Sequence, residues 1–351
     1  MLRVAFVGID HPHGAHWRQS LANFAQRLEI AAIVPAFAGA TTSLEERLTG
    51  VPRYDSVDDL LKRGSFDAAV VCLPNRDAPA ALTKLASAGK HVLTEKPIGR
   101  TAAELDPVVE AVRRNGVAFQ NGYMWRYDAA AERLRTMVAD GRFGKLINVE
   151  MLFVTSDVRR RGADHYLFDR EQSGAGFFSW LAVHHLDLLP WITGRAVTAV
   201  TARVGVYGAT AVDVEDGGAV ILELEGGGLA TFLGGYWLPR WAGENAWALR
   251  GTERWVHWYP TRPGTSGVLE IHGPQPQWHA MEETFTVAAD PTPGYGGVRG
   301  YQLIADWLDA VEAGGRDCRN TPESARHVVE LLDAIFESSR TGRRVERRIG
   351  P

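Results

Sequence analysis

Residues 4–17 read VAFVGIDHPHGAHW. Four apolar residues lead into Gly8, as a strand buried on both faces leads into a phosphate-binding turn. Where such a turn normally has a second glycine, Asp10 stands instead. His11, His13 and His16 follow, and Gly14 arrives one residue late. The stretch admits three readings: an altered dinucleotide turn, a metal site built from Asp10 and the histidines, or an ordinary turn. Ligands on adjacent turn residues seldom converge on one ion, so no resident metal is expected.

The sequence after this turn favours the first reading. Short apolar runs alternate with helical stretches through about residue 123. Strands are expected at RVAFVG, EIAAIV, FDAAVVCLP, HVLTEKP and VAFQNGY. Helices are expected at HWRQSLANFAQR, SVDDLLKR with Ser56 as N-cap, APAALTKLASAG closed by Gly89, and TAAELDPVVEAVRRNG. Strand-helix alternation with continuous apolar strands predicts a doubly wound parallel sheet.

Beyond residue 123 the rhythm changes. One helix, AAAERLRTMVADGRFG, leads into β-rich segments separated by glycines, which predicts a large, mainly antiparallel open sheet. A helix at FFSWLAVHHLDLLPWITG interrupts them. A Gly/Pro loop, DPTPGYGGVRG, precedes a helix at YQLIADWLDAVEAGG, and a last helix opens on Thr321 with Pro322 at its first position. The expected organisation is a nucleotide-binding domain at 1–123 and an α+β substrate and oligomerisation domain at 124–351.

The 351 residues are comfortable for two cores, and the net charge of -4 gives no broad attraction to nucleic acid or anionic membrane. Cys72 and Cys318 lie far apart and in no metal-type spacing, which suits a reducing compartment. Strand-like sequence begins at Leu2, leaving no room for a signal peptide, and no run approaches the about 18 apolar residues of a membrane helix. A cytoplasmic protein is expected. The 11 tryptophans, many late in the chain, suit either an aromatic core or an aromatic-lined pocket.

Three further segments carry chemistry: VVCLPNRDAP, then AGKHVLTEKPIGRTAAEL, then GYMWRY. Leu73-Pro74-Asn75, Ala88-Gly89-Lys90-His91-Val92 and Glu95-Lys96-Pro97, at this spacing, resemble the Gfo/Idh/MocA oxidoreductases, and the resemblance runs essentially the whole chain. It implies NAD or NADP in the first domain and a sugar, inositol or related polyol as substrate. Gly8, Ile9, Asp10, His11, His13, Leu73, Pro74, Asn75, Glu95, Lys96, Pro97 and Arg126 are the expected cofactor residues. Lys96 ends a parallel strand, where open α/β sheets bind ligands, and is expected to hold the reacting hydroxyl. The resemblance also implies a cis peptide before Pro97.

In SGAGFFSWLAVHHLDLLPWITG the family's Asp-x3-His-x2-Asp pattern falls on Trp180, His184 and Asp187. Trp180 replaces an Asp with a donor that has no basic site. His184, one helical turn away, is expected as the catalytic base. Tyr123, Trp125, Arg161, His165, Tyr166, Trp180, His184 and His185 are the expected substrate residues. Arg159, Arg160 and Arg161 form a run that suits a solvated face as well as an anion contact, and Asp164 and Asp169 are spare polar candidates. At the end of the second strand Pro35 occupies the ribose-reading position, with no acid until Glu45, so NAD and NADP both stay open.

The expected function is hydride transfer between NAD(P) and a secondary alcohol of a sugar, polyol or glycoside. Two alternatives are a redox-neutral lyase or glycosidase that recycles a bound NAD, and a catalytically silent NAD(P)/sugar-binding regulatory protein. The resemblance and the two-sided apolar strands imply a homodimer or homotetramer through the C-terminal sheet.

Overall fold

The computed structural model describes residues 1–37, 48–208, 211–239, 242–276 and 278–347, with the Arg160 side chain outside the description. Glu45 therefore lies outside the described residues. In chain order the elements are β1 (Leu2–Val7), α1 (Gly14–Ala22), β2 (Leu28–Val34), α2 (Val57–Arg63), β3 (Ala68–Val71), α3 (Ala78–Ser87), β4 (His91–Thr94), α4 (Asp106–Asn115) and β5 (Phe119–Asn121). Then come α5 (Ala129–Ala139), β6 (Leu146–Thr155), α6 (Asp157–Arg161), α7 (Arg170–Ser173), α8 (Val183–Thr193), β7 (Val197–Gly205), β8 (Gly217–Leu224) and β9 (Leu229–Gly235). The last are β10 (Gly243–Gly251), β11 (Trp255–Tyr259), β12 (Thr265–His272), β13 (Met281–Ala288), α9 (Val298–Glu312), α10 (Pro322–Thr341) and β14 (Val345–Glu346).

Two compact units result: residues 1–127 with 291–327, and residues 128–290 with 328–351. In the first, five parallel strands run in the order β2-β1-β3-β4-β5. Strand order reverses between β1 and β3, the switch point outside whose carboxyl ends doubly wound sheets bind ligands. Val4, Ala5 and Phe6 are wholly buried, as a strand covered on both faces must be. Ser56 caps α2 by accepting from the Asp59 N–H at 3.1 Å, as its sequence predicts. The helix expected over 101–116 is divided: a 3-10 turn at Ala102–Leu105 gives way to α4 at Asp106, with Pro107 in the first turn, where a missing N–H costs least.

Residues 124–127 and 291–327 fall with this first unit, although the sequence placed them beyond its boundary. The reason is the apolar stripe of α9. Leu303, Ile304, Trp307 and Leu308 are at most 1% exposed, in one cluster with Phe6, Trp17 and Leu21. The Tyr127 hydroxyl donates to the Asp306 carboxylate at 2.6 Å and ties residue 127 to the same helix.

The second unit holds nine strands in the order β13-β12-β11-β10-β6-β9-β8-β7-β14. Neighbours are antiparallel except β6 and β9, which pair parallel. Strand β8 alternates strictly: Val220 and Leu222 are buried, whereas Ile221 is 47% exposed. One face of the sheet is thus covered and the other open. Helix α8 does not begin as an α-helix. A π-turn at Phe178–Ala182 precedes it, a form that helices adopt where a turn is widened by an extra residue.

Candidate functional site

In the first unit the site grows from the end of β1. Gly8 has φ +74°, and a Cβ there would lie 1.9 Å from the Cys72 carbonyl oxygen, so only glycine fits. A Cβ on Gly14 would lie 2.0 Å from the Ile9 carbonyl oxygen. The turn is therefore as tight as a phosphate-binding turn, despite the lost glycine at position 10. Its helix, α1, has no side-chain cap and no acidic residue in its first turn, which leaves that end suited to an anion.

Asp10 has a structural task. Its two carboxylate oxygens accept from the backbone N–H groups of Ala36 and Phe37 at 2.7 and 2.8 Å. It thereby ties the turn after β1 to the exit of β2, where Pro35 removes the usual acidic residue. The histidines also have separate tasks. His11 Nδ1 accepts the His13 N–H at 3.0 Å, while His13 Nδ1 lies 3.3 Å from the Glu95 carboxylate. Asp10, His11, His13 and His16 do not form a metal-type cluster among the described residues.

Glu95 is the electrostatic centre of this unit. Its Oε2 accepts the Trp17 indole N–H at 2.6 Å and its Oε1 accepts the Lys96 backbone N–H at 3.0 Å. Burial alone would push this carboxyl up. The hydrogen bond and charge of His13, with Lys96 and His11, outweigh that and hold it well below the usual carboxylate range. Lys96 is 1% exposed, with its ammonium 4.0 Å from Glu95. The Lys96-Pro97 peptide is cis, as the resemblance implies. Gly122 leaves room beside this pair, since a Cβ there would lie 3.4 Å from Lys96 Cγ and 3.5 Å from Glu95 Oε1. Leu73, Pro74 and Asn75 follow β3, and Pro74 and Asn75 are buried.

Arg126, expected at the cofactor, donates to the Arg319 carbonyl at 3.1 Å, and Arg319 returns a bond to the Arg126 carbonyl at 2.6 Å. Trp125 has the Arg299 guanidinium 3.9 Å above its ring, and Tyr123 is buried. Several residues escaped the sequence reading. Tyr295, from the Gly/Pro loop, packs on His13 and Trp17 at centroid distances of 5.0 and 4.9 Å. Asn320 donates to the Asn121 carbonyl at 2.8 Å and braces the exit of β5. The Asn121 Nδ2 group is wholly buried with no hydrogen-bond partner. A buried amide donor left open at a strand end of a nucleotide fold suits a ligand amide or hydroxyl. The repeated Asn at strand and loop ends was the available signal, but its pairing spans about two hundred residues.

In the second unit, Trp180 lies in the π-turn and is 3% exposed, with the Arg161 guanidinium 5.9 Å from its ring centroid. Arg161 also lies 3.8 Å from the Asp157 carboxylate. His184 lies in the first turn of α8 and is 8% exposed. His185, expected at the substrate, has a different position. Its ring faces are covered by Phe153 and Trp247, stacked at 5.2 and 5.6 Å, and its Nε2 bonds Asn245 Oδ1 at 3.1 Å. Burial lowers its pKa to about 4, so it is a neutral core histidine. His165 Nδ1 accepts the Leu167 N–H at 3.3 Å, capping the short turn that carries Tyr166. Asp169 caps α7 through the Glu171 and Gln172 N–H groups, and Asp164 is exposed.

Glu215 is a residue of the second unit that the sequence reading missed. Its carboxylate accepts the Gly176 and Phe178 N–H groups at 2.8 and 3.0 Å, holding the glycine turn that opens the helix. Burial raises its pKa to about 7 against those two bonds. Nothing in its local sequence, VDVEDGG, distinguishes it from a surface acid.

A five-stranded parallel sheet, a glycine turn at its switch point and a buried ion pair at a nearby strand end are the parts of a nucleotide-binding domain. Comparison with known proteins agrees. Residues 2–123 match the family model described as an oxidoreductase family with an NAD-binding Rossmann fold, and residues 131–257 match the GFO/IDH/MocA C-terminal domain. The chain belongs to the Gfo/Idh/MocA family of oxidoreductases. It is 30% identical over 145 residues to the uncharacterized oxidoreductase YrbE of Bacillus subtilis, covering 41% of this chain and 40% of that protein. It is 23% identical over 229 residues to inositol 2-dehydrogenase of Salmonella typhimurium, covering 64% of this chain and 65% of that one. The chain thus matches about 40% to 65% of the length of such curated relatives. A levoglucosan dehydrogenase solved with NADH and L-sorbose shares the fold, with a TM-score of 0.86 at 17% identity, covering 99% of this chain and 98% of that one.

Proposed function

We propose that this protein is an NAD(P)-dependent oxidoreductase acting on a secondary alcohol of a sugar, polyol or glycoside. The observation that carries the reading is the buried Glu95-Lys96 pair beside the switch point of the parallel sheet. When bound, the nicotinamide supplies the hydride acceptor. The residues fit such a group: Gly8 keeps the turn tight, α1 presents an uncapped N-terminus, and Asn121 Nδ2 is an open buried donor.

The chain's own residues do the rest. The ionised Glu95 offsets the cost of burying the Lys96 charge. Lys96 then holds the substrate oxygen and stabilises negative charge as its proton leaves. In the second unit, His184 is the residue we assign as proton acceptor, by its place in the family pattern. Trp180 stands in place of a carboxylate in the second unit, where Arg161, His165 and Tyr166 are the substrate candidates; Tyr123 and Trp125 are those of the first. Trp180 is also the observation that favours a second reading, in which one substrate is oxidised and re-reduced on a retained cofactor.

A homodimer or homotetramer forms through the open face of the second sheet. Ile147, Ile221, Leu229 and Leu233 on its strands are each 47–51% exposed, an apolar patch of the kind that oligomers cover. No described helix is long and apolar enough to cross a membrane.

The first experiment is titration with NADH and NADPH, read by energy transfer from tryptophan to the reduced nicotinamide. Saturable binding of one of them is expected. A polyol and sugar panel with the bound cofactor then tests turnover. Lys96→Ala and His184→Ala should each lower kcat by at least about 100-fold, the usual worth of a positioned acid-base group. Full turnover in both variants would reject these roles, and conversion with no net change in nicotinamide would select the second reading.

A further inference from the structure

We propose that the second unit carries a binding site for a zinc-class divalent cation on β11 and β12, held by His257, Glu270 and His272. The ligand atoms of these three side chains all lie within 4.8 Å of one another. The sheet register explains why. His257 pairs directly with Glu270 across the two strands, and Trp255 pairs with His272. Glu270 and His272 are two residues apart on one strand, so they share a face, and His257 meets both from the neighbouring strand.

His272 has the preparation that a metal ligand needs. Its Nδ1 lies 2.6 Å from the His279 carbonyl oxygen, and a carbonyl only accepts, so the proton is on Nδ1. That bond fixes the tautomer and leaves the Nε2 lone pair bare. The Nε2 atom is wholly buried with no hydrogen-bond partner, and the residue is only 7% exposed. Trp255 stacks on the ring at 4.7 Å and 5°, locking its orientation. A backbone carbonyl that holds the far nitrogen of an imidazole is the usual outer support of a metal-bound histidine. A buried acceptor without a partner is costly, and a cation satisfies it.

Two imidazoles and one carboxylate suit zinc and its neighbours rather than magnesium or calcium, which take oxygen ligands. Ligand atoms on one tetrahedral zinc sit roughly 3.3 Å apart, given bonds of about 2.0–2.2 Å. Closing from 4.8 Å requires small rotations of His257 and Glu270, both only partly buried. Arg262 pairs with one Glu270 oxygen at 3.1 Å, which leaves the other for the ion. An open cavity of about 430 Å³ is lined in part by Glu270, Arg262 and Tyr259 and gives the cation a route in. Water fills the fourth position. The site joins two strands near one end of the nine-stranded order, so its effect is to staple that end of the sheet.

The test is zinc binding to the chelator-treated full-length protein, read by competition with a chromogenic chelator and by the visible spectrum of the cobalt-loaded form. One zinc per chain and a cobalt spectrum of tetrahedral intensity are expected. His257→Ala and His272→Ala should each weaken binding by at least about 100-fold, and Glu270→Gln by at least about 10-fold. His279→Ala removes a nearby surface imidazole but not its carbonyl, and should leave one zinc bound. Zinc should also raise the thermal midpoint of the wild type more than that of Glu270→Gln. Circular dichroism of each variant separates lost ligation from lost folding. No zinc bound by the folded wild type, or full binding by folded His257→Ala and His272→Ala, would overturn the proposal. Neither outcome bears on nucleotide binding.

Discussion

At the residue scale, two buried groups with opposite shifts contribute opposing pH dependences to stability. The Glu215 carboxyl is raised from 4.5 to about 7 in the folded chain. Its folded form holds more protons over that window, so its contribution is full below about 4.5 and lost as pH rises through about 7. His185 is lowered from 6.5 to about 4, so its contribution is full above 6.5 and lost as pH falls through about 4. Between 4.5 and 6.5 the two slopes oppose each other. Glu215→Gln should leave the His185 slope unopposed, steepening the rise of urea-unfolding free energy with pH by up to about 3 kcal/mol across the window. An unchanged profile would mean that Glu215 titrates normally. Trp17→Phe tests a second buried carboxylate, Glu95. It removes the indole donor from Glu95 Oε2 and should cost about 1–3 kcal/mol in urea unfolding.

At the scale of elements, the β1-α1 turn and α9 carry the structural predictions. Gly8→Ala places a Cβ against the Cys72 carbonyl at 1.9 Å in a backbone region that L side chains avoid. The turn must open, and NADH-dependent energy transfer should be lost even where circular dichroism shows retained helix. Trp307→Ala on α9 deletes a wholly buried indole from the core around Phe6 and Trp17. It should cost about 3–5 kcal/mol, read as a lower denaturant midpoint of the first unit. A loss under 1 kcal/mol would place α9 outside that core.

At the scale of the whole molecule, the open face of the second sheet sets association. Leu233→Glu adds a charge to an exposed strand position that needs no local refolding. If that face is the subunit contact, sedimentation should shift from an oligomer to a monomer while the circular dichroism spectrum is kept. A wild type that sediments as a monomer at micromolar concentration would end the oligomer reading.

Much of this was legible in the sequence because it rests on local pattern. Apolar runs with helical spacers gave the parallel sheet. Strand-like segments separated by glycine turns pointed to the open sheet. Glu95-Lys96-Pro97 with Leu73-Pro74-Asn75 pointed to the family. What the sequence by itself determined is therefore the class of most of the larger elements and the family of the chain, since both depend on residues close together in the chain. Only the tertiary structure decided that α9 belongs to the first core, that Asp10 closes the exit of β2, that His185 is a stacked core residue and that Glu215 holds the glycine turn. It also brought His257 beside Glu270 and His272. Each of these depends on partners distant in sequence or on strand register, and burial then sets the charge state. No local spacing encodes either.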